Sequence, residues 1–275
     1  MTTSLDAAIA QAAACVRDAD ALLIGAGAGI GVDSGLPDFR GNQGFWRAYP
    51  PLAALGIRFM EMANPRHFAR NPELAWGFYG HRLALYRATV PHEGFAILRA
   101  LGERLAHGSF VFTSNVDGQF QRAGFDAGRI VECHGSIHHL QCTRPCSDAI
   151  WPADAVEPRI DPATCLMAPP LPHCPRCGAL ARPNILMFND SAWLDNRTED
   201  QYARLETWLG RVRRPVVIEL GAGSDVPSVR RMCEAQLVPL IRINPREHRV
   251  SSGRGVGIAS GALDALRRLQ DSLSS

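Results

Sequence analysis

Residues 21–31 read ALLIGAGAGIG, an apolar run that ends abruptly in alternating glycines. Ala21 to Ile24 include no polar residue to face solvent, which predicts a strand buried on both faces, as in a parallel sheet. Glycines after such a strand let the backbone approach a phosphate closely, and a helix start beyond them offers free N–H groups. The strict G-x-G-x-x-G register is not met: counted from Gly25 or Gly27, its last position falls on Ile30 or Val32. No strand ends in an acidic residue about 20 positions further on, where a ribose-binding carboxylate would sit. By itself the loop also reads as a plain strand-to-helix turn.

Working outward, residues 5–19 place Leu5, Ile9, Ala12 and Val16 at helical spacing behind a capping Ser4. Short apolar runs recur at 109–114, 129–133, 215–220 and 239–244. Helix-like stretches at 94–106, 199–213 and 260–273 lie between or after them. Strands alternating with helices predict an α/β fold built on a Rossmann-like, doubly wound parallel sheet. Two segments break the rhythm. Residues 42–90 are aromatic and helix-like, and 137–185 are proline-rich and hold five of the eight cysteines. The predicted division is therefore 1–41, 91–136 and 186–275 as the sheet domain, with 42–90 and 137–185 as inserts forming a small second domain.

The cysteines in the second insert are paired. Cys142 and Cys146 form C-x3-C, and Cys174 and Cys177 form C-x2-C, with 27 residues between the pairs. Two close cysteine pairs in a segment short of apolar residues predict a tetrahedral zinc site, structural because all four ligands are protein. Cys165 is a fifth candidate without a close partner. Cys15, Cys133 and Cys233 read as core thiols.

Composition excludes several classes of function. The chain has 275 residues, 46% of them hydrophobic, and a formal net charge of +2. That balance is too near neutral for nucleic acid to be a stable partner. All 29 basic residues are arginine. No basic-then-apolar leader opens the sequence, and no run approaches the roughly 20 apolar residues that span a bilayer. A soluble, cytoplasmic protein with no membrane partner is expected.

The residues after the first strand are more specific than the glycines. Gly27-Ala28-Gly29-Ile30-Gly31-Val32-Asp33-Ser34-Gly35-Leu36-Pro37-Asp38-Phe39-Arg40 resembles the sirtuin loop G-A-G-[I/A]-S-x-x-S-G-I-P-D-F-R. Thr113-Ser114-Asn115-Val116-Asp117-Gly118 is similar to T-Q-N-I-D-G, and Glu132-Cys133-His134-Gly135-Ser136 to E-L-H-G-S. Arg182 to Phe188 resembles R-P-x-V-V-x-F, and Gly221 to Val226 is a weaker relative of G-T-S-L-x-V. These blocks occur in family order along nearly the whole chain.

The resemblance implies an NAD-dependent protein lysine deacylase that binds NAD and zinc and takes an acylated lysine protein or peptide. It makes His134 the base that takes a proton from the ribose hydroxyls, with Asn115 beside it in the catalytic site. It implies cofactor contacts from Gly27, Ala28, Gly29, Asp38, Phe39, Arg40, Ser114, Asn115, Asp117, His134, Gly221, Gly223, Ser224 and Asn244. Asn115 and Asp117 would line the nicotinamide pocket, because an amide and a carboxylate satisfy both sides of a carboxamide. An Asx turn is the alternative for that pair, as is a simple turn for Asn244. Phe188 would contact substrate.

Residues 65–82 resemble sirtuins that remove succinyl and malonyl groups, through the spacing Tyr79-x-x-Arg82. On a helix this places a phenol and a guanidinium on one face, where both can meet one carboxylate. Departures lie at Gly31, Ser114, Phe120, Asn189-Asp190 and Ala222-Gly223, where the family usually has other residues. They leave open a divergent substrate, such as a non-histone protein or a small acylated amine. The alternatives are ADP-ribosyl transfer or NAD hydrolysis at the same cofactor site and, supported by Gly31 and Gly223, a non-catalytic NAD or ADP-ribose sensor.

Overall fold

The computed structural model describes residues 4–37, 41–250 and 254–274. Ser4 opens the first helix, α1 (Leu5–Arg17), by accepting the Ala7 amide at 3.2 Å. The Ile9, Ala12 and Val16 stripe of α1 is buried. β1 (Ala21–Ala26) follows, buried at every position. The aromatic segment after it is helical, as expected, with α2 (Gly41–Ala48), α3 (Pro50–Ala54), α4 (Phe59–Met62), α5 (Arg66–Arg70) and α6 (Pro72–Ala88). Then come α7 (Glu93–Glu103), β2 (Ser109–Thr113), the short α8 (Gln119–Arg122) and β3 (Ile130–Glu132). The cysteine segment supplies β4 (Gly135–Cys142), β5 (Ile150–Pro152), β6 (Ile160–Asp161), β7 (Leu166–Met167) and β8 (Ala181–Ile185). The chain closes with α9 (Asn196–Leu209), β9 (Pro215–Leu220), α10 (Ser228–Ala235), β10 (Leu240–Ile243), β11 (Gly255–Ile258) and α11 (Ala262–Ser274).

Six strands make one parallel sheet in the order β11-β10-β9-β1-β2-β3. The chain winds outward from β1 through β2 and β3, then restarts at β9 on the other side of β1. The crevice beyond the carboxyl ends of β1 and β9 is therefore the topological switch point, where such sheets bind ligands. Alternate residues of β1 serve opposite faces. Leu22, Ile24 and Ala26 pack with α1, α7 and α11, whereas Ala21 and Leu23 pack with Leu205 and Trp208 of α9 and Val229 of α10.

The sixth strand, β11, was not expected from the sequence, since Gly255 and Gly257 break any apolar pattern. Both glycines lie against backbone: a Cβ there would meet the carbonyl oxygen of Leu240 at 2.1 Å or of His248 at 2.2 Å. Close approach, not strand propensity, chose them. The otherwise apolar β9 and β10 also carry one charge each at paired positions. Arg242 clamps Glu219 with Nε–Oε1 of 2.6 Å and Nη2–Oε2 of 2.8 Å, both residues 1% exposed. A bidentate pair of this kind satisfies two charges that could not be buried singly.

The two inserts share one apolar cluster. Phe45, Leu52, Trp76 and Phe78 pack with Ile137, Leu140, Val156 and Met167, and Leu36, Val116 and Met187 join them from the sheet side. The expected boundary between 136 and 137 falls inside β4, which pairs antiparallel with β8. The chain actually turns away from the parallel sheet at Gly135, whose φ is +75°. A side chain there would strike the Asn184 carbonyl at 2.1 Å, so the turn requires glycine. No helix among the described residues is long and apolar enough to cross a membrane.

Candidate functional site

Two side-chain-poor loops meet at the switch point. The first leaves β1 through Gly27 and winds as a 3-10 turn over Ala28–Ser34, not the α-helix start the sequence suggested. The second leaves β9 through Gly221. Backbone joins them: Gly29 N donates to Gly221 O at 3.1 Å, and Gly27 N to Leu220 O at 2.9 Å. Gly221 has φ of +61°, and a Cβ on it would meet Ile30 N at 2.4 Å. Beside this contact opens a cavity of about 140 Å³, lined by Gly29, Val32, Gly221, Pro245, Arg246 and Gly261 among others. Glycine at 27 and 221 lets the two loops touch backbone to backbone, and the cradle they form lies at the switch point, where such sheets bind ligands. Asn244 stands behind the cradle. It is 1% exposed; its Nδ2 donates to Ala222 O at 3.0 Å and its Oδ1 accepts the amides of Arg246 and Glu247. Here the simple turn is what the geometry displays, with a tether to the second loop added. Gly223 has open space around it, and Ser224 is exposed.

The end of β2 carries the next group. Thr113 Oγ1 donates to Ala26 O and accepts the Asn115 amide, while Asn115 Nδ2 reaches Gly27 O at 3.1 Å. Asn115 therefore sits against the first loop. Asp117 is buried, its Oδ1 accepting the Gln119 amide at 2.9 Å in an Asx turn. Burial pushes its carboxyl up to about 6, Gln119 N–H opposes this, and the Glu132 charge adds to it. His138 Nε2 lies 2.9 Å from the Asp117 carbonyl.

His134 follows β3 and is half-buried. Its imidazole is held below the usual range by burial, and the Ser114 backbone offsets part of that. A neutral ring is the form a general base needs. Its Nε2 lies 3.2 Å from Ser228 Oγ, a residue that no reading of the sequence singled out. Cys133, next to it, is buried with its thiol pushed up to about 12, which suits a core residue and not a nucleophile.

The paired cysteines converge. The four sulfurs of Cys142, Cys146, Cys174 and Cys177 lie within 4.8 Å of one another. Cys142 and Cys177 are 3.6 Å apart, and Cys146 and Cys174 3.7 Å. Four thiolates about 2.3 Å from a tetrahedral zinc would stand roughly 3.8 Å apart. The cluster fits that ion, and Cys165 is not part of it; it packs in the apolar cluster shared by the inserts.

Tyr79 and Arg82 also lie together, inside that same cluster on α6. Arg82 is 8% exposed and Tyr79 1%. The guanidinium stands over the rings of Phe78, Tyr79 and Tyr86 at 5.2–5.9 Å, and its Nε donates to Tyr86 Oη at 2.9 Å. Phe188 is half-buried, edge-on to Phe59 at 6.2 Å, with its amide bonded to Ala63 O. Asp38, Phe39 and Arg40 lie outside the described residues.

The Sir2 family profile matches residues 27–208, from the first loop through α9. The chain belongs to the Sir2 family. An NAD-dependent protein deacylase of Aeropyrum pernix is 31% identical over 88% of this chain and 88% of its own length. One of Aquifex aeolicus is 29% identical over 90% and 92% respectively. A solved Sir2 homologue, a mutant in complex with ADP-ribose, shares the fold with a TM-score of 0.70 and 25% identity, covering 96% of this chain and 97% of that one.

Several departures of this Sir2 chain from the family's usual residues have local reasons. Phe120 joins Phe95 and Phe125 in an aromatic cluster with ring centres 5.0 and 5.2 Å apart. Asp190 pairs with buried Arg182 at 2.7 Å and accepts the amides of Met187 and Ala192, closing the turn after Phe188. Asn189 there has φ of 56°, a conformation asparagine tolerates. At Gly31, a Cβ would press on Leu36 at 3.2 Å.

Proposed function

We propose that this Sir2 chain is an NAD-dependent protein lysine deacylase, releasing nicotinamide and O-acyl-ADP-ribose. One observation carries the reading: His134, half-buried with its imidazole held below the usual range, lies with Nε2 3.2 Å from Ser228 Oγ at the start of α10, the helix that follows the second glycine loop. The two deacylase relatives support the same activity.

NAD supplies the ribosyl carbon that accepts the acyl oxygen. The chain does the rest. Gly27, Ala28, Gly29 and Gly221, with Gly223 and Ser224, would hold the phosphates by backbone. Asn244 would act on the adenosine end chiefly by holding the second loop. Asp117, with a carboxyl that titrates near 6, would hold the carboxamide together with Asn115. His134 would take the proton of a ribose hydroxyl as it attacks the acyl carbon. Phe188 and the exposed Leu186 before it would flank the lysine stem. Zinc would be held by Cys142, Cys146, Cys174 and Cys177 and would keep β4 and β8 joined at their far end.

A finer reading is that the acyl group is acidic. It rests on Arg82, a cation buried among aromatic rings, and on Tyr79 at its side. The substrate is a protein or peptide, and the division into a sheet domain and two inserts belongs to the same proposal. So does a cytoplasmic location, because a four-thiolate site needs a reducing compartment. Incubation with NAD and acetyl, succinyl, malonyl and long-chain acyl peptides, followed by mass spectrometry, tests the activity and the acyl preference. Nicotinamide released without any peptide would overturn deacylation in favour of NAD hydrolysis.

A further inference from the structure

The contact between His134 and Ser228 joins residues 94 positions apart. Ser228 is the first residue of α10, and it is firmly seated. Val229 beside it is 1% exposed in the core under the sheet. Arg230, one residue on, donates through Nε and Nη2 to Ala222 O at 3.3 and 3.1 Å, and through Nη2 to Glu247 O at 2.7 Å. The start of α10 is thus tied to the second glycine loop and to the turn behind it. Its hydroxyl points at Nε2 from a rigid element.

Burial holds the ring below its usual range, so the imidazole is neutral near pH 7 and carries one lone pair. With that pair on Nε2, the ring accepts from Ser228 Oγ across the 3.2 Å contact, and its basic nitrogen faces a hydroxyl before any substrate arrives. A ribose hydroxyl reaching His134 would take up the same relation to Nε2.

We propose that Ser228 is a positioning residue for the general base: its hydroxyl holds the place of the substrate hydroxyl at His134 Nε2, keeping the ring oriented and Nε2 unprotonated until the ribose displaces it. The consequence for catalysis rests on the deacylase reading. The two chemical stages then depend on Ser228 differently. Cleavage of the nicotinamide bond does not require a deprotonated ribose hydroxyl, whereas acyl transfer does.

Two measurements on the full chain test this. The first needs no activity: 15N spectra of the histidine-labelled free protein, with the His134 signals assigned by their loss in His134→Gln. Wild type and Ser228→Thr should show Nε2 as an unprotonated, hydrogen-bonded nitrogen. Ser228→Ala should move that resonance toward an unbonded value. An unchanged resonance would overturn the proposal. The second compares exchange of labelled nicotinamide into NAD with release of deacylated peptide. Ser228→Ala should lower deacylation about 3- to 10-fold, the worth of one neutral hydrogen bond. Exchange should stay within about twofold, and Ser228→Thr should restore deacylation. Equal losses in both reactions would make Ser228 a structural support of the loop and sink the idea. If wild type deacylates nothing, the deacylase reading fails, and the 15N spectra still decide whether Ser228 orients His134.

Discussion

The guanidinium carbon of Arg82 lies 5.9 Å from the centre of the Tyr79 ring, one turn away on α6, with both side chains buried. If the pair recognises an acyl carboxylate, succinyl and malonyl peptides should outperform acetyl ones. Arg82→Met should then cost about 1.5–3 kcal/mol for the charged substrate, the worth of a hydrogen bond to a charged group. That is roughly a 10- to 150-fold loss in kcat/KM. Acetyl turnover should hold steady or rise. Equal slowing of both would show that Arg82 serves packing over its three rings, with no acyl preference encoded.

His134→Ala should leave NAD binding, read by calorimetry, nearly intact. Deacylation should fall by roughly 10²- to 10⁴-fold, the usual contribution of a general base. Near-wild-type turnover would remove His134 from the mechanism.

Elemental analysis should find one zinc per chain. Cys174→Ser, or a strong chelator, should release the ion and lower the melting temperature, because metal binding at such a site is folding free energy. The loss should fall first on β4, β5 and β8, read as faster amide exchange there. A metal-free protein of unchanged stability would refute the site.

Asp117 predicts a pH-dependent effect. Its folded carboxyl titrates at about 6, above the unfolded value of 3.8, so between these values the folded chain binds more protons. Stability contributed by this group therefore falls as pH rises from about 4 to 6 and stays lowered above. Asp117→Asn keeps the oxygen that accepts the Gln119 amide and removes the charge. It should stabilise the protein by up to about 3 kcal/mol at pH 8 and hardly at all at pH 4. Denaturant melts at both pH values measure this, and equal shifts at the two would contradict it.

The sequence by itself determined the doubly wound class, because runs such as Ala21–Ile24 are apolar at consecutive positions and only a strand covered on both faces hides them. It determined the four sulfurs too, since close cysteine pairs in a segment with few apolar residues have little else to do. His134, Asn115 and Asp117 were legible as candidates because each lies in a local block whose order along the chain is itself informative. Tertiary structure alone decided what depends on distant backbone. Ser228 meets His134 because β9 lies beside β1 and carries α10 back over the end of β3, a relation that no short-range pattern encodes. The β11 glycines, the Glu219–Arg242 clamp and the turn at Gly135 are legible only when the neighbouring strand is present. Tyr79 and Arg82 show both contributions at once. Helical spacing put them on one face, and the packing of α6 against the strands of the cysteine segment enclosed that face in an aromatic core.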